Sequence, residues 1–195
     1  MKVIKQYASA EIEVKKSRFL AEAFPIKSQQ EARELLKQQK IKYSDATHVV
    51  HAFSAGLGGE ICGCSDDGEP AGTAGRPVLD VLKGSGCTNI LITVTRWFGG
   101  TLLGTGGLVR AYGDAAKGVL AVCRTEEYIS KVPFAVNTDY QFYEQIKKLL
   151  GRFEAEIENE DFAENIVLKG NLPEKNKPAL QKEVENLSCG KISVV

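Results

Sequence analysis

Residues 89–95 read NILITVT, an apolar and β-branched run with no charged side chain. That is the pattern of a strand in the middle of a sheet. The run passes directly into Arg96-Trp97-Phe98-Gly99-Gly100, so a buried strand ends where glycine begins. A chain of 195 residues, 43% of them hydrophobic, can supply a core for one large domain or two small ones. Its 26% charged content is that of an ordinary soluble protein.

The segments around this strand read as a mixed α/β domain over residues 1–128. Strands are expected at 11–14, 19–24 and 47–54. Ser28-Gln29-Gln30-Glu31 has the form of a capping box and opens a helix to about Lys40. A short helix is expected at 76–82. A long one follows the glycines, with Leu108, Tyr112, Ala115, Val119 and Leu120 at helical spacing.

After a linker near 125–131 the pattern changes. Val132, Phe134 and Val136 alternate as a strand, and Asp139 can cap a helix carrying Phe142, Tyr143, Ile146, Leu149 and Leu150, with Gly151 as its C-terminal cap. Strands at 155–157 and 166–168 flank an acidic turn at 158–164. A helix begins near Pro178, and residues 192–195 close as a strand. The order βαββαβ is that of a ferredoxin-like domain at 131–195, and the fold class is α+β.

No apolar run approaches the roughly 20 residues of a membrane-spanning helix. The first residues lack the apolar stretch of a secretory signal, so the expectation is a cytoplasmic protein with no membrane partner. Five scattered cysteines read as reduced thiols. Up to position 130 there are 16 basic and 14 acidic residues, and beyond it 9 and 11. Neither part is the basic module of nonspecific nucleic-acid binding, so any RNA contact is local. The sequence carries no signal for an oligomeric state.

Two glycine-rich segments hold the candidate site residues. Gly104, Gly106 and Gly107 stand at the expected start of the long helix, where free N–H groups favour an anion. Arg96 at the strand end and Arg110 one turn into the helix could add charge, and Gly99, Gly100 and Arg76 belong to the same segments. The alternative is that the glycines make turns and Arg110 pairs with Asp114, worth about 0.2–0.5 kcal/mol. Trp97 and Phe98 could stack on a base, although at least one beside a buried strand should be core.

Asp66, Asp67 and Glu69 are weak candidates for magnesium, against the commoner role of acids in a solvated turn. His48, His51, Cys62 and Cys64 suggest zinc, but residues three apart on a strand point to opposite faces, and Cys-x-Cys is tighter than the usual ligand spacing. No nucleophile elbow, phosphate loop or clean dinucleotide fingerprint is present, and no pattern calls for a cofactor.

The stretches DDGEPAGTAGRPVLDVL (66–82) and RWFGGTLLGTGGLVRAYGDAA (96–116) resemble the hallmark of the IMPACT family, in its bacterial two-domain branch. Lys16-Ser17-Arg18-Phe19 and Ala46-Thr47-His48 add to the resemblance, which is close over residues 1–125. It implies an N-terminal domain similar to a ribosomal small-subunit protein domain and a tail similar to domains of translocation-type elongation factors. The resemblance further implies that eukaryotic relatives regulate translation by competing for a scaffold that activates an initiation-factor kinase. They carry an additional N-terminal protein-binding domain, for which this chain is expected to have no room, so the kinase-pathway role is not carried over.

Translation-linked binding to ribosome, RNA or a protein partner is therefore expected, without catalytic residues. The Arg76, Arg96, Gly99, Gly100, Gly104, Gly106, Gly107 and Arg110 surface is the expected contact. The alternative is a magnesium-dependent enzyme on a phosphate-containing small molecule, using Asp66, Asp67 and Glu69.

Overall fold

A computed structural model describes residues 1–56 and 58–195. The chain divides into two compact units, 1–128 and 129–195. The first runs β1 (Lys2–Ile4), β2 (Ala8–Val14), β3 (Ser17–Pro25), α1 (Gln29–Lys42), β4 (His48–Ala55), β5 (Ile61–Ser65), α2 (Gly75–Ser85), β6 (Ile90–Trp97), α3 (Thr105–Val122) and β7 (Thr125–Glu127). The second runs β8 (Lys131–Thr138), α4 (Tyr143–Arg152), β9 (Glu156–Phe162), β10 (Ile166–Pro173) and α5 (Lys177–Leu187).

The NILITVT strand is central, as its composition requires. Its β6 lies third in an antiparallel sheet of order β2-β3-β6-β4-β5. Ile90, Ile92 and Val94 face a core completed by α2 and α3, through Val78, Leu82, Tyr112 and Val119. Leu91 faces the other way, towards Phe53 and Ala32 of α1. Ser28 caps α1 by accepting from the Glu31 N–H, and Glu31 in turn accepts from the Lys27 N–H. Strands β1 and β7 pair antiparallel. These two and β5 are short or lack alternation, and periodicity does not reveal them.

The second unit is ferredoxin-like. Its sheet has the order β8-β10-β9, and Val194 bridges Val136 on the outer side of β8. The expected terminal strand is thus reduced to one bridge, with Ala135 and Val195 exchanging backbone hydrogen bonds of 2.9 and 3.0 Å. The acidic segment expected as a turn is mostly strand. β9 runs to Phe162, and as an edge strand it carries its acids towards water, a common protection against edge pairing. The expected Gly151 cap is also displaced. Helix α4 continues through it, and Glu154 takes the left-handed conformation at φ 58°. No helix among the described residues is long and apolar enough to cross a membrane.

One row of the first sheet is polar on the α1 side. Ser9, Glu22, Thr93, His51 and Ser65 lie side by side across its five strands. Tyr7 and Lys42 both donate to Glu22 Oε1, at 2.8 and 3.1 Å. Burial, then the nearby Lys40 charge, holds the His51 imidazole below its ordinary pKa. Thr95 lies one row away, between Leu20 and Val49, and its buried hydroxyl has no hydrogen bond among the described residues. Removing such a hydroxyl at constant shape is expected to be neutral or stabilising. Thr95→Val should therefore keep or raise the urea unfolding midpoint, and a fall of about 1 kcal/mol would show that the hydroxyl is satisfied in solution.

Candidate functional site

Arg96 continues the inward alternation of Ile92 and Val94, so its side chain enters the face covered by α2 and α3. Only 5% of it is exposed. A charge so placed needs a partner. Its Nη1 donates to Glu69 Oε1 at 2.6 Å, and Nη2 reaches Ser17 Oγ at 3.4 Å. Tyr112 of α3 donates its hydroxyl to the same Glu69 oxygen at 2.8 Å. One carboxylate, itself 8% exposed, thus ties the β5–α2 loop to both β6 and α3. The guanidinium also lies 5.5 Å from the ring centroids of both Phe19 and Phe98. Burial, then the adjacent Glu69 charge, pushes the Tyr112 hydroxyl far above its usual pKa, which keeps it a donor.

His48 opens β4 beside this network. Its Nδ1 is 2.7 Å from the Asp67 carbonyl oxygen. A carbonyl only accepts, so Nδ1 donates to it, and the other ring nitrogen, Nε2, faces Glu69. That nitrogen stands 3.9 Å from Glu69 Oε2. Around these groups opens a cleft of about 410 Å³. His48, Glu69 and Arg96 form its polar end, Phe98 and Leu102 its apolar side, and Gly104 and Thr105 its margin at the start of α3. Gly104 precedes the helix at φ 75° and supplies no side-chain cap. The first intrahelical N–H bond is that of Leu108, so the N–H groups of Thr105, Gly106 and Gly107 are not consumed by the helix.

The expected contact residues divide into distinct roles. Arg96 and Gly104 line the cleft; Arg76 and Arg110 do not. Arg96, expected to add charge to a contact surface, is a buried support, because inward strand alternation places it under the sheet's helices. Arg76 is exposed on α2 and paired with Asp80 at 2.8 Å. Arg110 is exposed and has no ion pair among the described residues, because Asp114 pairs with Lys117 instead. Gly99 is required by close approach, since a Cβ there would overlap the Lys16 carbonyl, and its N–H donates to Ser17 Oγ at 3.2 Å. Gly100 (φ 82°) turns the exposed loop that follows. A Cβ on Gly107 would touch Leu103 at 3.0 Å, whereas one on Gly106 would meet nothing.

The three acids considered for magnesium do not converge. Asp66 accepts from the N–H groups of Gly72, Ala74 and Gly75 at 2.8–3.0 Å, capping α2 from a distance. Asp67 accepts from the Val49 N–H at 2.7 Å and from Lys40, and Glu69 is held by Arg96 and Tyr112. Among the described residues no group of three or more His, Cys, Asp or Glu could hold a metal. His48 faces the cleft and His51 the opposite side of the sheet, and all five cysteines are free. The Glu69–Arg96–Tyr112 network and the role of His48 are what sequence reasoning missed. The available signal was the alternation that carries an arginine inwards.

The whole cleft lies within residues 15–120, which match the Impact N-terminal domain model. The chain belongs to the IMPACT family. A domain of unknown function (DUF1949) matches residues 136–191. An IMPACT family member of Haemophilus influenzae is 36% identical over 186 residues, covering 94% of this chain and 90% of the relative. The family member YigZ of Escherichia coli is 34% identical over 185 residues, covering 94% and 91%. A crystal structure described as that of a hypothetical protein aligns with a TM-score of 0.71 at 32% identity, over 100% of this chain and 95% of that one.

Within this IMPACT domain, Asp66 provides a pH-dependent test of the loop that carries Glu69. Burial raises its carboxyl pKa, but the three N–H donors outweigh that and hold it below the ordinary value. A carboxyl with a lowered folded-state pKa stabilises fully above its unfolded value of about 4, and the stabilisation is lost as pH falls through the folded value. Asp66→Asn should lose about 1 kcal/mol at neutral pH. In urea unfolding from about pH 7 to 3, its stability should fall less with acid than the parent's, the gap closing at the acid end.

Proposed function

We propose that this IMPACT family protein is a noncatalytic, translation-associated regulator that binds ribosome, RNA or a protein partner through the surface at the start of α3. The observation that carries this reading is an uncapped helix start beside exposed apolar side chains, with Arg110 free of any ion pair among the described residues. Phe98 is 45% and Leu102 82% exposed, and both line the cleft at that helix start. Uncapped N–H groups and an unpaired arginine suit phosphate or carboxylate. The apolar rim suits a base or an apolar side chain. The translational setting rests on the resemblance of both domains to parts of the translation apparatus.

Arg96 enters this reading as the support beneath the surface. Its replacement would leave Glu69 buried and unpaired, at a cost of about 3–5 kcal/mol, so it is unsuited to a binding test. Arg76→Ala with Arg110→Ala leaves that network intact. The test is co-sedimentation of the protein with ribosomes and total RNA at about 50 and 200 mM salt, a range over which phosphate contacts weaken steeply. Sedimentation that persists at the higher salt and drops in the double variant supports the surface. An unchanged pellet in the variant removes the arginines from it, and no pellet at either salt removes ribosome and RNA as partners.

A further inference from the structure

The two faces of the first sheet hold their helices by unlike means. Under α2 and α3 lies an apolar core in which Val78, Leu82, Tyr112 and Val119 are fully buried. Helix α1 buries Ala32 and Gln39 out of 14 residues. Ala32, with Leu35 half-buried beside it, rests on the apolar group of Ile26, Phe53 and Leu91, so that group lies under the first half of the helix. The second half has no such seat.

What lies beneath the second half is polar. Lys42 reaches Glu22 of β3, and Lys40 reaches Asp67, whose carboxylate accepts from the Val49 N–H of β4. The end of the helix therefore crosses the sheet over the row of Glu22, Thr93 and His51. Glu22 Oε2, Thr93 Oγ1, Thr95 Oγ1, His51 Nδ1 and Gln39 Oε1 are buried and have no hydrogen bond among the described residues. Six side-chain atoms among the described residues are in that position, and the sixth, Arg96 Nε, lies on the other face. Lifting the helix gives the five to water, so hydration favours opening while few apolar contacts oppose it. The second half is held from its rim, by the Lys40 and Lys42 ion pairs and by the Tyr43 ring set edge-on to Trp97 at 5.5 Å. Both lysines are about half exposed, at 47% and 54% of their side chains, and ion pairs of that kind are weak.

Asp67 joins this helix to the cleft on the opposite face. The turn 66–69 is closed by the Glu69 N–H donating to the Asp66 carbonyl at 3.0 Å, with φ 49° at Asp67 and 89° at Gly68. A left-handed residue other than glycine persists when its surroundings fix it. Asp67 is fixed by Lys40 and the Val49 N–H on its carboxylate, by His48 Nδ1 on its carbonyl, and by its own N–H donating to Ser65 Oγ at 3.2 Å. Of these, Lys40 belongs to α1.

We propose that residues 36–43 form a cover that opens locally from the sheet, and that its opening loosens the 66–69 turn that places Glu69 in the cleft. The back of the sheet thus acts on the cleft at its front through one ion pair. The opening is a property of the domain and stands whatever the surface at α3 binds.

The experiment is native-state amide hydrogen exchange of the full chain, followed by NMR from zero to low urea. Amides of 36–43 should exchange by an opening insensitive to low urea, at least about a hundredfold faster than those of Ile92 and Val94 in β6. Gln39→Leu with Thr93→Val removes two of the unpartnered groups at nearly constant size, and should slow the helix about tenfold relative to β6. Lys40→Gln keeps the helix propensity and should speed exchange of 36–43 about threefold, with the Val49 N–H rising alongside. Lys37→Gln, on an exposed lysine with no ion pair among the described residues, should do neither. Circular dichroism checks that each variant is folded. Helix amides that exchange no faster than β6, or that the double variant fails to slow, overturn the cover. Lys40→Gln that speeds the helix and leaves the Val49 N–H unchanged overturns its coupling to the cleft.

Discussion

The buried pair of Arg96 and Glu69 sets the geometry of the IMPACT domain's cleft. Two ions taken out of water lose hydration that their attraction repays only with good geometry and further hydrogen bonds. Tyr112 supplies such a bond to the shared oxygen, and Ser17 lies within reach of the guanidinium. Arg96 of β6, Glu69 of the β5–α2 loop, Tyr112 of α3 and Ser17 at the start of β3 meet in this network, so it joins four separate parts of the chain. That is why the glycine segments, which pay a large entropy cost on ordering, still hold one conformation. Asp66 and Asp67 finish the task by tying the same loop to the start of α2 and to the edge of β4.

The glycines of these segments do unlike work. Gly99 lets β6's exit pass against the backbone of Lys16, a contact no larger residue permits. Gly104 turns the chain into α3 at a positive φ. Gly106 answers to neither demand, and its open side adjoins the helix N–H groups that a ligand would use. Composition alone groups all of them as one glycine-rich surface; only the backbone geometry separates the structural positions from the accessible one.

Much of the fold was legible because it rests on local periodicity. NILITVT could only be an inner strand, Ser28 to Glu31 a helix start, and the last 65 residues a βαββαβ unit. Errors came where local pattern is weak. Glu158, Glu160 and Asp161 read as a turn by their charge, yet an edge strand tolerates acids that a central one would not. The site was less legible than the fold. Arg96 and Glu69 are 27 positions apart, Tyr112 and Glu69 43, and no periodicity links residues at such separations. The arginine's inward parity on β6 was the one visible clue, and it calls for a buried acid without saying which.

The dependence of the cleft on this pair is tested most directly by a double-mutant cycle on Glu69→Leu and Arg96→Met, read as unfolding free energy in urea. Each single replacement leaves one charge buried and alone and should cost about 3–5 kcal/mol. The double replacement removes both charges and should recover a large part of the loss, giving a coupling of about 2 kcal/mol or more. Strict additivity of the two single effects would contradict the account, since it would mean that the two side chains do not depend on one another in the folded protein.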